Sequence, residues 1–228
     1  MNYDLSSTSV GTLSAQQNKV LRNTYLLLAV SMLPTVAGAM LGIQMGFSFF
    51  AGSPLIGFLA FLGIAMGFMY GIERTKNSGM GVALLLAFTF FMGLMLSRLL
   101  QFALGFSNGA SMIAMAAAGT GAIFFTMAGI ASTSKRDFSN LGKFLFVGMI
   151  AVLLAAIANI FFQIPALSLA ISALVVVIFS AYILFDINRI VQGGEDNYIS
   201  ATLAVYLDIY NVFASLLQLI MALTGERD

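Results

Sequence analysis

The sequence predicts an all-α integral membrane protein of seven transmembrane helices. Three observations predict it. Of 228 residues, 60% are hydrophobic and only 8% charged, against roughly 25% charged in a soluble globular domain. The mean hydropathy is +0.99. Apolar segments of membrane length, about 20 residues each, follow one another along nearly the whole chain, leaving no room for a soluble domain.

Taken in order, residues 1–18 are polar, rich in Ser and Gln, and lack the basic-then-apolar pattern of a cleaved signal. They are read as a polar cytoplasmic N-terminal tail, and residues 19–228 as the membrane domain. The spans fall at Tyr25–Met45, Leu55–Ile72, Met80–Ser97, Ser111–Ser132, Leu141–Phe162, Ala166–Val191 and Ala201–Thr224. Pro34 is expected to kink the first. Gly38, Gly42 and Gly46 in the first span, and Gly63, Gly67 and Gly71 in the second, repeat at four-residue spacing. Such small-residue stripes let membrane helices approach closely. The link Gln163-Ile164-Pro165 is short, so a re-entrant pair is the alternative for the last segments.

Orientation follows from the basic residues. With the N-terminus inside, Lys19, Arg22, Arg74, Lys76, Lys135, Arg136, Lys143 and Arg189 are cytoplasmic, and only Arg98 and Arg227 lie opposite. The C-terminus is then outside. A net charge of +1 offers no basic field for nucleic acid. Cysteine and histidine are both absent, which removes disulfides, Cys/His metal sites and Ser-His or Cys-His catalysis.

The candidate site is a pair of aspartates, Asp186 and Asp208, inside otherwise apolar spans. A carboxylate at mid-membrane costs roughly 2.5–3.5 kcal/mol on insertion scales, so a proton, ion or opposite charge is expected beside it. Asn197 lies midway between them, in the polar loop Gly193–Tyr198. In an antiparallel hairpin the two carboxylates therefore sit at one depth. For Asp208 that is roughly 12 Å into its span at 1.5 Å per residue. Two such carboxylates titrate as a coupled unit, and ionised they offer hard oxygen ligands to a passing cation such as Ca²⁺. Arg189, three residues beyond Asp186, is placed to pair with it. Arg74, at the end of the second span, is a second cation able to latch the site. Asn159 and Asn211 are supporting polar candidates, for which interhelical hydrogen bonding is the plainer role.

The stretch Ile183–Ile190, Ile183-Leu184-Phe185-Asp186-Ile187-Asn188-Arg189-Ile190, resembles the sixth-span motif of the Bax inhibitor-1 family. Tyr206-Leu207-Asp208-Ile209-Tyr210-Asn211-Val212-Phe213, followed by Leu216-Leu217, is similar to its seventh. The loop Gly193–Ile199, with Ala158-Asn159-Ile160-Phe161 and Gln163-Ile164-Pro165-Ala166-Leu167, looks most like the bacterial YccA branch. The resemblance implies a central last helix wrapped by the other six and a bacterial plasma (inner) membrane location. It also implies a pH-sensitive Ca²⁺ leak gated by aspartates that match Asp186 and Asp208, with a latch arginine that best matches Arg74. The branch implies a different role, binding and restraining the membrane protease FtsH. The remote alternative is an intramembrane aspartyl protease. It fits poorly, because Asp208 follows Val205-Tyr206-Leu207 where Gly-x-Gly is needed, and Pro165-Ala166-Leu167 precedes both aspartates. A non-enzymatic membrane protein is therefore expected, with no cofactor beyond Ca²⁺ and H⁺ as sensed or transported ions.

Overall fold

A computed structural model describes residues 4–47, 54–134 and 136–225. Lys135 and Arg227, counted in the charge bias, lie outside them, as do Met1–Tyr3 of the N-terminal tail. Seven helices follow in order: α1 (Asp4–Gln44), α2 (Pro54–Thr75), α3 (Gly79–Leu104), α4 (Gly109–Thr133), α5 (Leu141–Phe162), α6 (Pro165–Val191) and α7 (Tyr198–Thr224). All seven are long and apolar enough to cross a membrane. With 27 residues each, α6 and α7 extend roughly 40 Å, so the last segments cross fully and the re-entrant alternative is set aside. The polar N-terminal segment is helical from Asp4 and continuous with the first span.

Local chemistry explains where the helices stop. Gly46 adopts a left-handed φ of 60°, its amide bonds Ile43 O at 3.2 Å and the Phe47 amide bonds Gly42 O at 2.8 Å. This is the glycine-terminated helix end in which two otherwise orphaned carbonyls are satisfied. Gly193 repeats it after α6 with φ 79°; its amide reaches Ile190 O at 3.0 Å, and that of Gly194 reaches Arg189 O at 2.8 Å. Between α5 and α6, Gln163 takes the left-handed conformation (φ 49°, ψ 42°) and Pro165 opens the next helix, where its missing N–H costs nothing. Pro34 lies inside α1, which continues through it to Gln44.

The last helix is central. It packs against α1, α2, α3, α4 and α6, whereas α5 leans on α6 from outside. α5 adds to the wrap around α7 chiefly through α6. Tyrosine hydroxyls tie α7 to its neighbours: Tyr206 lies 2.9 Å from the Thr35 hydroxyl of α1, and Tyr210 donates to Met92 O of α3 at 3.3 Å. Such ties hold well where no water competes.

The two glycine stripes behave differently. On α1, a Cβ at Gly38 would fall 2.2 Å from Phe90 O, and one at Gly42 2.5 Å from the Ser97 hydroxyl of α3. Gly93 of α3 returns the contact, with Thr35 O 2.1 Å from its missing Cβ. On α2, Gly63 and Gly67 meet nothing within 4 Å and Gly71 meets the Leu84 side chain at 3.3 Å, so no backbone packs against that stripe. Gly93→Ala is accordingly expected to cost about 1–3 kcal/mol by forcing α1 and α3 apart. Gly63→Ala should be neutral or stabilising by up to about 1 kcal/mol through helix propensity. Unfolding midpoints of the two variants in detergent separate these outcomes.

Candidate functional site

Asp186 lies five residues before the end of α6 and Asp208 in the first half of α7. Because the α6–α7 connection is short and closed by the Gly193 turn, the helices fold back antiparallel and pack along their length. The two carboxylates come within hydrogen-bonding reach of each other, as the hairpin symmetry predicts. Asp208 is 4% exposed and Asp186 half-buried. Ile183 and Ile187 of α6, Val205 and Val212 of α7, and Ala128 and Ala131 of α4 belong to the apolar cluster in which these helices meet. Tyr182, one turn before Asp186, lies within electrostatic range of both carboxylates.

Asp208 Oδ2 is buried without a hydrogen-bond partner among the described residues. An orphaned carboxylate oxygen beside a second carboxylate is costly unless a proton or cation joins it. Among the described residues no third acidic side chain completes a metal-binding cluster. Two carboxylates fall short of the six to eight oxygens that a resident Ca²⁺ takes. The arrangement suits a shared proton, or a cation that passes while keeping water ligands.

Neither arginine expected to latch the pair is bonded to it. Arg189 is engaged in the loop: its Nε donates to Gly194 O at 3.2 Å and its guanidinium pairs with Glu195 at 3.0 Å. The cause is the Gly193 turn, which carries the loop back over the last turn of α6 and offers Arg189 a carboxylate in the exposed end of the bundle. Charge pairing there avoids the desolvation that reaching inward demands. Arg74 is exposed and lies over the Tyr70 ring, 5.7 Å from its centroid. The supporting asparagines also lie elsewhere. Asn159 accepts the Ile164 amide at 2.9 Å and donates to the Ser168 hydroxyl at 2.7 Å, closing the α5–α6 turn at the opposite end of α6. Asn211 donates to Leu207 O of its own helix at 2.7 Å.

The structure adds residues that sequence reasoning missed. Asn197 caps α7, accepting the Ile199 and Ser200 amides at 2.9 and 3.2 Å. Its amide also donates to Lys76 O at 3.1 Å and the Asn77 side chain at 2.9 Å. Ser200 donates to Glu73 at 2.9 Å, and Glu73 also pairs with Lys76, whose ammonium is thereby held above its ordinary range. The α6–α7 loop is thus tied to the α2–α3 link above the aspartates. Asn188, 2% exposed, accepts the Phe138 amide at 3.1 Å and donates to Arg136 O at 3.2 Å, fastening the α4–α5 connection to α6. Asn immediately before a helical run is a capping signal, so Asn197 was readable. The cross-chain ties of Asn188 and Glu73 carry no local signal.

Residues 17–225 match the family model described as Inhibitor of apoptosis-promoting Bax1. The chain belongs to the Bax inhibitor-1 family. Its relatives in that family include the Modulator of FtsH protease YccA of Escherichia coli K12, 38% identical over 220 residues, which cover 96% of this chain and 97% of that protein. An uncharacterised protein of Neisseria meningitidis serogroup A is 41% identical over 228 residues, 99% of this chain and all of that one. An uncharacterised membrane protein of Vibrio cholerae is 39% identical over 206 residues, 90% of each. As a Bax inhibitor-1 protein with seven membrane-length helices, and with a relative named Inner membrane protein YccA, the chain is a multi-pass protein of the inner membrane.

Asn197→Ala is expected to cost about 1 kcal/mol of cap and to free the α6–α7 loop from the α2–α3 link. Hydrogen exchange should rise at the first turn of α7 and at Asn77 together; a rise confined to α7 would contradict the tie.

Proposed function

We propose that this Bax inhibitor-1 protein is a pH-sensitive leak for Ca²⁺ in which Asp186 and Asp208 form the gate. The observation that carries the reading is the buried contact between the two carboxylates, with one Asp208 oxygen lacking a partner. Sharing a proton, the carboxylates hold α6 and α7 together and the path is closed. Losing it, they repel, the seam loosens, and their oxygens meet a hydrated cation moving down its gradient. Acidification therefore closes the leak. The basic residues Lys19, Arg22, Arg74, Lys76, Arg136, Lys143 and Arg189 share one end of the bundle, supporting a cytoplasmic location for that end and for the aspartate half of the seam. Arg189 and Arg74 serve as latches only in a state that draws them inward from their present contacts.

A second reading, restraint of FtsH, is favoured by the 38% identity to YccA over 97% of that protein. The helical N-terminal segment that continues α1 is the part available to such a partner. Both readings describe a non-enzymatic membrane protein.

Ca²⁺ entry into proteoliposomes, followed from mildly acidic to mildly alkaline pH, tests the first reading. Flux should rise with pH in the wild type, and Asp186→Asn and Asp208→Asn should each abolish it or make it independent of pH. Identical flux in all three proteins would refute the gate. FtsH proteolysis that responds to removal of residues 1–14, and not to either aspartate variant, would establish the second reading instead.

A further inference from the structure

A long cleft in the bundle lies between α1 and α4, with α3 and α7 as its floor. The two flanking helices meet at Tyr25, whose ring stands edge-on to Phe124, 6.0 Å between centroids. Beyond that contact they part, leaving ≈980 Å³ with a lining dominated by apolar side chains. Small residues on α4 make the depth: Gly121 and Gly129, two turns apart on one face, line the cleft, and a Cβ at either meets nothing within 4 Å. Its lips are exposed apolar side chains, Met40 at 61% and Phe125 at 74%, so it opens sideways toward the bilayer.

Dimensions select the occupant. Lining residues of α1 run from Tyr25 to Ile43, about 27 Å at 1.5 Å per residue, close to the hydrocarbon thickness. Spread over that length, ≈980 Å³ averages roughly 36 Å² in section, and a hydrocarbon chain, set by carbon contacts near 4 Å, needs roughly 15–20 Å². The cleft has the length and the section for two acyl chains.

Charge selects the headgroup. Arg22 precedes Tyr25 by one turn on the same face of α1, and Arg136 follows Ser132 just beyond the end of α4; both are exposed. Tyr25 and Ser132 line one end of the cleft, so both arginines belong to that end. The neighbouring Asp137 is engaged by the amide and hydroxyl of Ser139, which hold its carboxyl below the usual range.

We infer that the α1–α4 cleft is a binding site for an anionic phospholipid, with its two acyl chains between the helices and its phosphate between Arg22 and Arg136. This site is independent of the aspartate reading. Tyr206 and Tyr210, which flank Asp208 in α7, form part of its floor, so its occupant touches the helix that carries the buried carboxylate.

The test uses the full chain reconstituted in bilayers of equal phosphatidylglycerol and phosphatidylcholine, extracted in mild detergent and weighed by native mass spectrometry. Wild type should retain a phospholipid, predominantly phosphatidylglycerol. The variant Gly121→Leu/Gly129→Leu fills open space and improves helix propensity; it should unfold no earlier than wild type and lose the lipid. Arg22→Gln/Arg136→Gln should keep a phospholipid but lose the preference for phosphatidylglycerol. A wild type that retains no lipid, or equal retention in the glycine variant, would overturn the site, and an unchanged preference in the arginine variant would overturn the phosphate seat. Should the glycine variant keep its lipid and lose only association with purified FtsH, the cleft would be a seat for a protein helix and the inference would fail.

Discussion

The proposed gate depends on two carboxylates brought within hydrogen-bonding reach of each other inside the membrane. A single buried aspartate can be neutralised by its own proton and becomes a hydrogen-bonding side chain of little consequence. Two in contact cannot be treated separately, because the charge on one sets the cost of charging the other. In the proposed gate, the proximity of Asp186 and Asp208 makes the packing of α6 against α7 conditional on protonation or on a cation. The helix α7 packs against α1, α2, α3, α4 and α6, so the proposed gate lies on the element that most of the bundle shares.

The remainder of the molecule holds that seam in register. On one side, glycines allow α1 and α3 to pack backbone to backbone, a rigid wall to which Tyr206 and Tyr210 anchor α7 by their hydroxyls. At the loop end, Asn197 and Ser200 bind the start of α7 to the α2–α3 link, and Asn188 binds the end of α6 to the α4–α5 connection. The Gly193 turn keeps Arg189 with Glu195 and so leaves the pair without a cation bonded to it. The α4 side is different. There, small residues leave a cleft where the opposite wall has interdigitated backbone, and Tyr206 and Tyr210 of α7 form part of its floor.

Much of this was legible in the sequence because the membrane imposes a coarse pattern. Every span was recoverable from apolar length alone. The level placement of Asp186 and Asp208 followed from a short hairpin whose centre is Asn197. Span ends were less exact where a charge interrupted the pattern: α3 runs to Leu104, past Arg98, because a long basic side chain near a helix end is tolerated. The glycine stripes of α1 and α2 look alike as text, yet only that of α1 has a backbone against it. The pairing of Arg189 with Glu195 was hidden for a similar reason. Spacing allowed Arg189 to reach Asp186, but the left-handed turn at Gly193 brought Glu195 to it instead. Asn188 and Glu73 gave no local signal, since each acts on a segment far away in the chain.

The central claim, that the aspartates share one proton and titrate as a unit, is tested most directly by pH-dependent infrared difference spectroscopy of the protein in lipid. The account predicts a carboxylic-acid band, shielded from solvent, that disappears in a single transition as pH rises and whose midpoint moves in Asp186→Asn as well as in Asp208→Asn. A band that titrates identically in wild type and the Asp186→Asn variant would show Asp208 acting alone, and would contradict the account.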